Sequence, residues 1–124
     1  MEKSALILFA HGARDPRWAA PFQRLQALVK EQLPQQDVEL AFLELMEPRL
    51  PEAVAKVVAN GRNAVTVVPI FLGQGGHVLR DLPVLMQDLR QRYPQVSFRL
   101  VDAAGENPVV LQAIARYCID SIRS

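Results

Sequence analysis

Val65-Thr66-Val67-Val68-Pro69-Ile70-Phe71-Leu72 is almost unbroken apolar and β-branched, and it ends at once in Gly73-Gln74-Gly75-Gly76-His77. A run of this kind reads as a strand buried on both faces, and such strands belong to parallel sheets clothed by helices. Leu82, Leu85, Met86 and Leu89 follow at the three-and-four spacing of an amphipathic helix. His77 therefore stands where a strand hands over to a helix. The glycines around Gln74 let backbone approach a ligand closely and tolerate positive φ, both costly for residues with a Cβ.

The same alternation runs through the chain. Ala5 to Ala10 is a short apolar run that stops at His11-Gly12, and it reads as a central first strand. Asp15 is placed to cap a helical start at Pro16. Pro21 argues that the longer helix begins near it, with Phe22, Leu25, Leu28, Val29 and Leu33 forming its stripe. Val38 to Leu45 reads as a second strand nearer an edge, closed by Met46-Glu47-Pro48. The next helix carries Leu50, Ala53, Val54, Val57 and Val58 on one face and ends at Asn60-Gly61. Val96 to Val101 is a fourth strand. Pro108 to Ile122 is a last helix, with Val110, Ile114, Tyr117 and Ile122 expected inward.

Four strands alternating with four helices predict an α/β fold of three layers, αβα, around a parallel sheet. Right-handed crossovers favour the flavodoxin-like strand order 2-1-3-4. This order has a chemical consequence. Ligands of such sheets bind beyond the carboxyl ends of the strands at the switch point, where His11, Glu44 and His77 are expected to converge.

With 124 residues, half of them hydrophobic, the chain is long enough for one domain, taken as 1–124. Fourteen basic against thirteen acidic side chains advertise neither nucleic acid nor a membrane surface as partner. A local patch would still serve a polyanionic small molecule. The single cysteine, Cys118, is expected to be buried as a small hydrophobe. The run Ala5 to Ala10 is far below the ~18 residues of a spanning helix and lacks a signal-peptide pattern, so a cytoplasmic protein is expected.

His11 and His77 are the only histidines in the chain. Two imidazoles with the Glu44 carboxylate form a donor set suited to cobalt, nickel, iron or zinc, and three ligands leave coordination positions open for catalysis or transfer. The same imidazoles are competent bases near neutral pH. Plainer readings stand beside these. His11 before a glycine is also what a solvated loop residue looks like, Glu44 a strand-end charge, and Glu47 a helix-entry residue favoured by the macrodipole. Gly73 to Gly76 reads as a loop or an anion cradle, without the GxGxxG spacing or the P-loop Lys-Ser/Thr of nucleotide sites. Trp18 more often packs than stacks on a ligand. Arg14, Arg17 and Arg80 are surface charges or partners for carboxylates. His11-Gly12 beside Arg14 has the wrong order for the Arg-His-Gly signature of histidine phosphatases.

Phe9-Ala10-His11-Gly12-Ala13-Arg14-Asp15-Pro16, Phe42-Leu43-Glu44-Leu45-Met46-Glu47-Pro48, and Val68 to Leu72 running through Gly76-His77 to Asp81-Leu82-Pro83 together resemble the short CbiX family, the sirohydrochlorin chelatases of cobalamin and sirohaem synthesis. Ala13 stands where the family pattern usually has serine. The resemblance implies an ATP-independent class II chelatase on a chelatase-like variant of the flavodoxin-like fold, inserting Co²⁺, Ni²⁺ or Fe²⁺ into a sirohydrochlorin-type tetrapyrrole with no nucleotide. It implies His11 as proton acceptor and metal ligand, with Glu44 and His77 completing the metal set. Glu47, Leu72, Gly73, Gln74, Gly75 and Gly76 would line the macrocycle, and Arg14 would receive its carboxylates. It also implies a homodimer, since chains of this length resemble one half of two-lobed chelatases. A non-catalytic metal carrier or tetrapyrrole-binding module built on the same residues is the alternative.

Overall fold

The structure, a computed structural model, describes residues 3–73 and 75–123, with residues 76–79 described by backbone alone. Strand β1 spans Ser4–Ala10 and leads through a 3-10 turn at Pro16–Ala19 into helix α1, Ala20–Gln32. Strand β2 (Asp37–Phe42), helix α2 (Leu50–Ala59), strand β3 (Ala64–Pro69), helix α3 (Gly76–Arg92) and strand β4 (Ser97–Leu100) follow. A second 3-10 turn at Ala104–Glu106 precedes helix α4, Pro108–Arg123.

All strand pairs are parallel and their order is β2-β1-β3-β4, as the right-handed crossover rule requires. β1 lies at the centre, with Ile7 opposite Glu39 on one side and Val67 on the other. Residues of odd number on β1 and β3, such as Ile7, Phe9, Val65 and Val67, pack with Leu50, Val54 and Val57 of α2 and Leu82, Met86 and Leu89 of α3. Residues of even number, such as Leu8, Ala10, Leu40 and Phe42, meet Phe22, Leu25 and Val29 of α1. Period-two alternation in the strands and the helical stripes thus build two cores on opposite faces of one sheet. Each large side chain fully buried here contributes on the order of 1.5–3 kcal/mol.

The local punctuation follows the sequence. Asp15 Oδ1 accepts the Arg17 backbone N–H at 2.9 Å and caps the first 3-10 turn, with Pro16 at its start. Pro21 sits in the first turn of α1, where its missing donor costs nothing. Asn60 closes α2 and Gly61 takes φ +85°. Trp18 packs, its ring 4.5 Å from Phe22 and 6.4 Å from Phe42.

Four expectations fail. The second strand ends at Phe42 and not at Leu45, because Phe42 N–H turns away to the Pro48 carbonyl and Leu45 adopts φ +69°. The third ends at Pro69 and not at Leu72; beyond the ladder Phe71 packs into the core while Leu72 is exposed. Leu28 of α1 points out, 58% exposed. The last helix turns no residue into its own core: Leu111 to Arg123 are all exposed, so Ile114, Tyr117 and Ile122 are not inward and Cys118 is not buried. The chain leaves β4 through the 3-10 turn and carries α4 away from the sheet.

Candidate active site

β1 is flanked by β2, reached through α1 on one face, and by β3, reached through α2 on the other, so the switch point lies at its carboxyl end. His11 is the first residue past that end. Glu44 is drawn to it by backbone: Leu43 N–H donates to the Ala10 carbonyl at 2.9 Å, and Glu44 N–H to the His11 carbonyl at 3.1 Å. This splice needs Gly12. Its φ is +93°, and a Cβ there would overlap the Glu44 carbonyl oxygen.

On the β3 side, Ile70 N–H donates to the Phe9 carbonyl at 2.7 Å, which holds the outgoing chain beside β1 for one residue past the ladder. Phe71 then turns inward and is buried, its ring 4.4 Å from the His11 imidazole and 5.9 Å from Phe9. Leu72 and Gly73 are exposed. Gly105 braces this corner: its N–H donates to the Phe71 carbonyl at 2.8 Å, and a Cβ there would overlap the Leu72 carbonyl. Gly75, with extended backbone, begins α3, and His77 falls in that helix's first turn. The helix's N-terminus therefore opens at the same end of the sheet, and its dipole favours negative charge there.

The arrangement brings His11 and Glu44 onto adjoining loops, both half-buried, and sets the backbone of His77 on the third. The side chain of His77 and the whole of Gln74 lie outside the described residues. Among the described residues no three His, Cys, Asp or Glu side chains gather at one point. Glu47 is exposed and lines a groove along the outer edge of β2, with Gln23, Gln26, Glu39 and Glu52. Arg14 is exposed on the loop after His11. Arg17 is occupied by Asp15, with Nη2 to Oδ2 at 2.7 Å, and that hydrogen bond holds the Asp15 carboxyl below the usual carboxylate range. Arg80 faces Asp81 at 3.7 Å.

Two residues at the site carry no motif of their own. Phe71 reads in sequence as one more strand residue, yet it is the aromatic wall behind His11. Leu45 is half exposed beside Glu44 in the left-handed region, where a leucine is rare. With Leu72, it adds apolar surface to the loops at this end. Chemically, the end of the sheet offers an imidazole, a carboxylate, exposed leucines and glycine backbone, a combination suited to a flat apolar ligand and a divalent metal.

A family model described as CbiX matches residues 5–120. The chain is 39% identical over 82 residues to the sirohydrochlorin cobaltochelatase of Methanocaldococcus jannaschii, a match covering 66% of this chain and 57% of that protein. It is 25% identical over 124 residues to the chloroplastic sirohydrochlorin ferrochelatase of Arabidopsis thaliana, covering 98% of this chain and 55% of that one. A CbiX protein of cobalamin (vitamin B12) biosynthesis from Marinobacter aquaeolei VT8 superposes with a TM-score of 0.85 at 33% identity, over 98% of this chain and 99% of the other. The chain thus spans little more than half the length of the curated relatives it matches and nearly all of that solved structure. The family match runs almost end to end, and the chain belongs to the CbiX family.

Proposed function

We propose that this protein is a sirohydrochlorin chelatase that inserts a divalent metal, Co²⁺ in the first place and Ni²⁺ or Fe²⁺ in the second, into the macrocycle without a nucleotide. The observation that carries the reading is the pair of backbone bonds from Leu43 and Glu44 to Ala10 and His11, which joins the loop of a histidine to the loop of a glutamate at the switch point. Family membership and the cobalt and iron chelatases among its relatives support the substrate class.

Insertion exchanges two inner N–H protons of the ring for one M²⁺, so a metal must be held loosely beside a base. His11, backed by Phe71, holds the incoming ion with Glu44 and His77; as the ion passes to the ring, the freed imidazole nitrogen takes one ring proton and the Glu44 carboxylate takes the other and passes it to water. These ligands are of borderline softness and accept cobalt, nickel and iron alike, leaving selection to geometry and supply. The macrocycle is assigned to the loop of Leu72, Gly73, Gln74, Gly75 and Gly76, and its peripheral carboxylates to Arg14 and the α3 N-terminus. Glu47 borders the ring on the side of β2. Holding ion and ring together converts a slow bimolecular insertion into an oriented one. Two copies of the chain complete the cleft, in keeping with the Arabidopsis relative, of which a match to 98% of this chain covers only 55%.

The test is absorbance-monitored metallation of sirohydrochlorin by the purified chain with Co²⁺, Ni²⁺ and Fe²⁺, beside His11→Ala and His77→Ala. Turnover above the spontaneous rate that collapses in both variants is expected. Stoichiometric metal or ring binding with no turnover would put the carrier in the enzyme's place.

A further inference from the structure

Residues 43–48 cross the carboxyl end of the sheet from one face to the other. Leu43 packs against the core that α2 and α3 cover, and Met46 against the core that α1 covers. Glu44 and Leu45 lie between them. Leu43 N–H donates to the Ala10 carbonyl, Glu44 N–H to the His11 carbonyl, and Phe42 N–H to the Pro48 carbonyl at 2.9 Å, so both roots of the arc are fixed. Among the described residues Leu45 alone, glycines aside, has a positive φ, at +69°.

The backbone accounts for that conformation but not for the side chain that adopts it. Glycine enters the left-handed region freely and asparagine at reduced cost, whereas leucine sets its Cβ against the following carbonyl. The residue is also 51% exposed, so it gains little from burial in return. Conformation and exposure both favour a small or polar residue here, yet a large apolar one stands in the position. A side chain kept in a sparsely populated backbone region against both preferences points to a ligand. Leu72, 67% exposed, is its counterpart on the loop after β3. β1 lies between β2 and β3, so the two leucines stand on the loops that flank the one carrying His11.

We infer that Leu45 determines specificity for the ring: its side chain is an apolar seat for one face of the macrocycle, paired with Leu72 across the His11 loop, while its neighbour Glu44 serves the metal. The inference rests on the chelatase reading and deepens it, by dividing the two substrates between adjacent residues of one loop. A flat conjugated ring presents apolar carbon on its faces, and an aliphatic side chain covers that carbon and displaces the water from it. A hydrated divalent ion gains nothing from such a contact. Ring affinity therefore depends on Leu45, and metal affinity does not.

Two titrations on each protein test it: metal-free sirohydrochlorin, followed by its absorbance, and Co²⁺ alone, followed by calorimetry. Leu45→Asn removes the apolar surface and suits the left-handed backbone. It is expected to unfold at a urea concentration no lower than wild type and to hold the ring about tenfold more weakly, with Co²⁺ affinity unchanged. Leu45→Met keeps an apolar side chain of similar volume on the same backbone, and is expected to bring ring affinity back to within about twofold of wild type. An asparagine variant that holds the ring as tightly as wild type would overturn the inference; if its sedimentation changed instead, Leu45 would belong to a contact between copies. Ring and Co²⁺ affinity lost together would also overturn it, since a rearranged loop that carries Glu44 away would be the cause. So would a methionine variant as weak as the asparagine one. A wild type that binds Co²⁺ but no sirohydrochlorin would remove the chelatase reading itself, and this inference with it.

Discussion

The imidazole of His11 and the ring of Phe71 lie 4.4 Å apart, centroid to centroid, with their planes tilted by 41°. Phe71 is buried and itself rests 5.9 Å from Phe9, so the wall behind the proposed base is continuous with the core. Aromatic pairs of this geometry contribute about 0.5–1.5 kcal/mol beyond the area they bury. A base whose ring is fixed this way needs no reordering when the substrate arrives.

Phe71→Leu keeps the apolar volume and removes the ring. The domain is expected to lose about 1–1.5 kcal/mol, as for a volume-conserving core change. Turnover is expected to fall about tenfold, equal to about 1.4 kcal/mol in the barrier. Stopped-flow metallation together with denaturant unfolding checks both. A structural role alone would lower stability and leave the turnover of the folded protein in place.

Much of this was legible in the sequence for a physical reason. β1 is an unbroken apolar run and is buried on both faces of the sheet, while α2 and the core stripe of α3 are buried on the face their periodicity announces. His11 and Glu44 were locatable because strand order alone sends both to one end of the sheet. What could not be read is where apolar residues stop serving the ladder. Phe71 and Leu72 continue the β3 pattern although they belong to the site, and Phe71 needed the fold to reveal His11 as its neighbour. The stripe on α4 is as regular as that on α2, yet periodicity names a face to be covered without naming what covers it.

Gly12→Ala tests the splice between the first and second loops. The position combines φ +93° with contact against the Glu44 carbonyl, so a methyl group must both strain the backbone and push the 43–48 loop aside. A stability loss above about 1 kcal/mol is expected. Cobalt affinity, measured by calorimetry on folded protein, is expected to weaken with it, because Glu44 moves with its own backbone. Gly61→Ala is the control: φ is +85° there but no atom lies near the added methyl. It should carry the strain and leave cobalt affinity unchanged.

Gly105→Ala tests the brace under the third loop. Gly105 N–H holds the Phe71 carbonyl at 2.8 Å, and its Cα faces the Leu72 backbone with no room for a methyl. Moving that backbone moves both Phe71 and the exposed Leu72. The expected outcome is a raised KM for sirohydrochlorin with a smaller fall in kcat, since the proposed function sets Leu72 against the ring and leaves Phe71 to orient His11. An unchanged KM would remove Leu72 from the macrocycle wall.

At the opposite end of the sheet, Asp37 ties the start of β2 to the end of α2. Its Oδ2 accepts from Asn60 Nδ2 at 2.9 Å and its Oδ1 from Arg62 Nη2 at 3.1 Å. The Asn60 hydrogen bond, opposed by partial burial and reinforced by Arg62, holds the carboxyl below its ordinary value. The unfolded chain has an aspartate near its ordinary value, about 3.9. Below that pH the unfolded state binds a proton before the folded state does, so stability falls as pH drops through this value towards the lower folded one and is fully present above it. Asp37→Asn is therefore expected to cost up to about 1 kcal/mol at neutral pH, the scale of a partly exposed pair. The difference from wild type should close as pH falls below the ordinary aspartate value. Urea unfolding of both proteins at neutral pH and at successive acid points measures it, and a gap that stays constant with pH would show that the Asp37 charge plays no part in the tie.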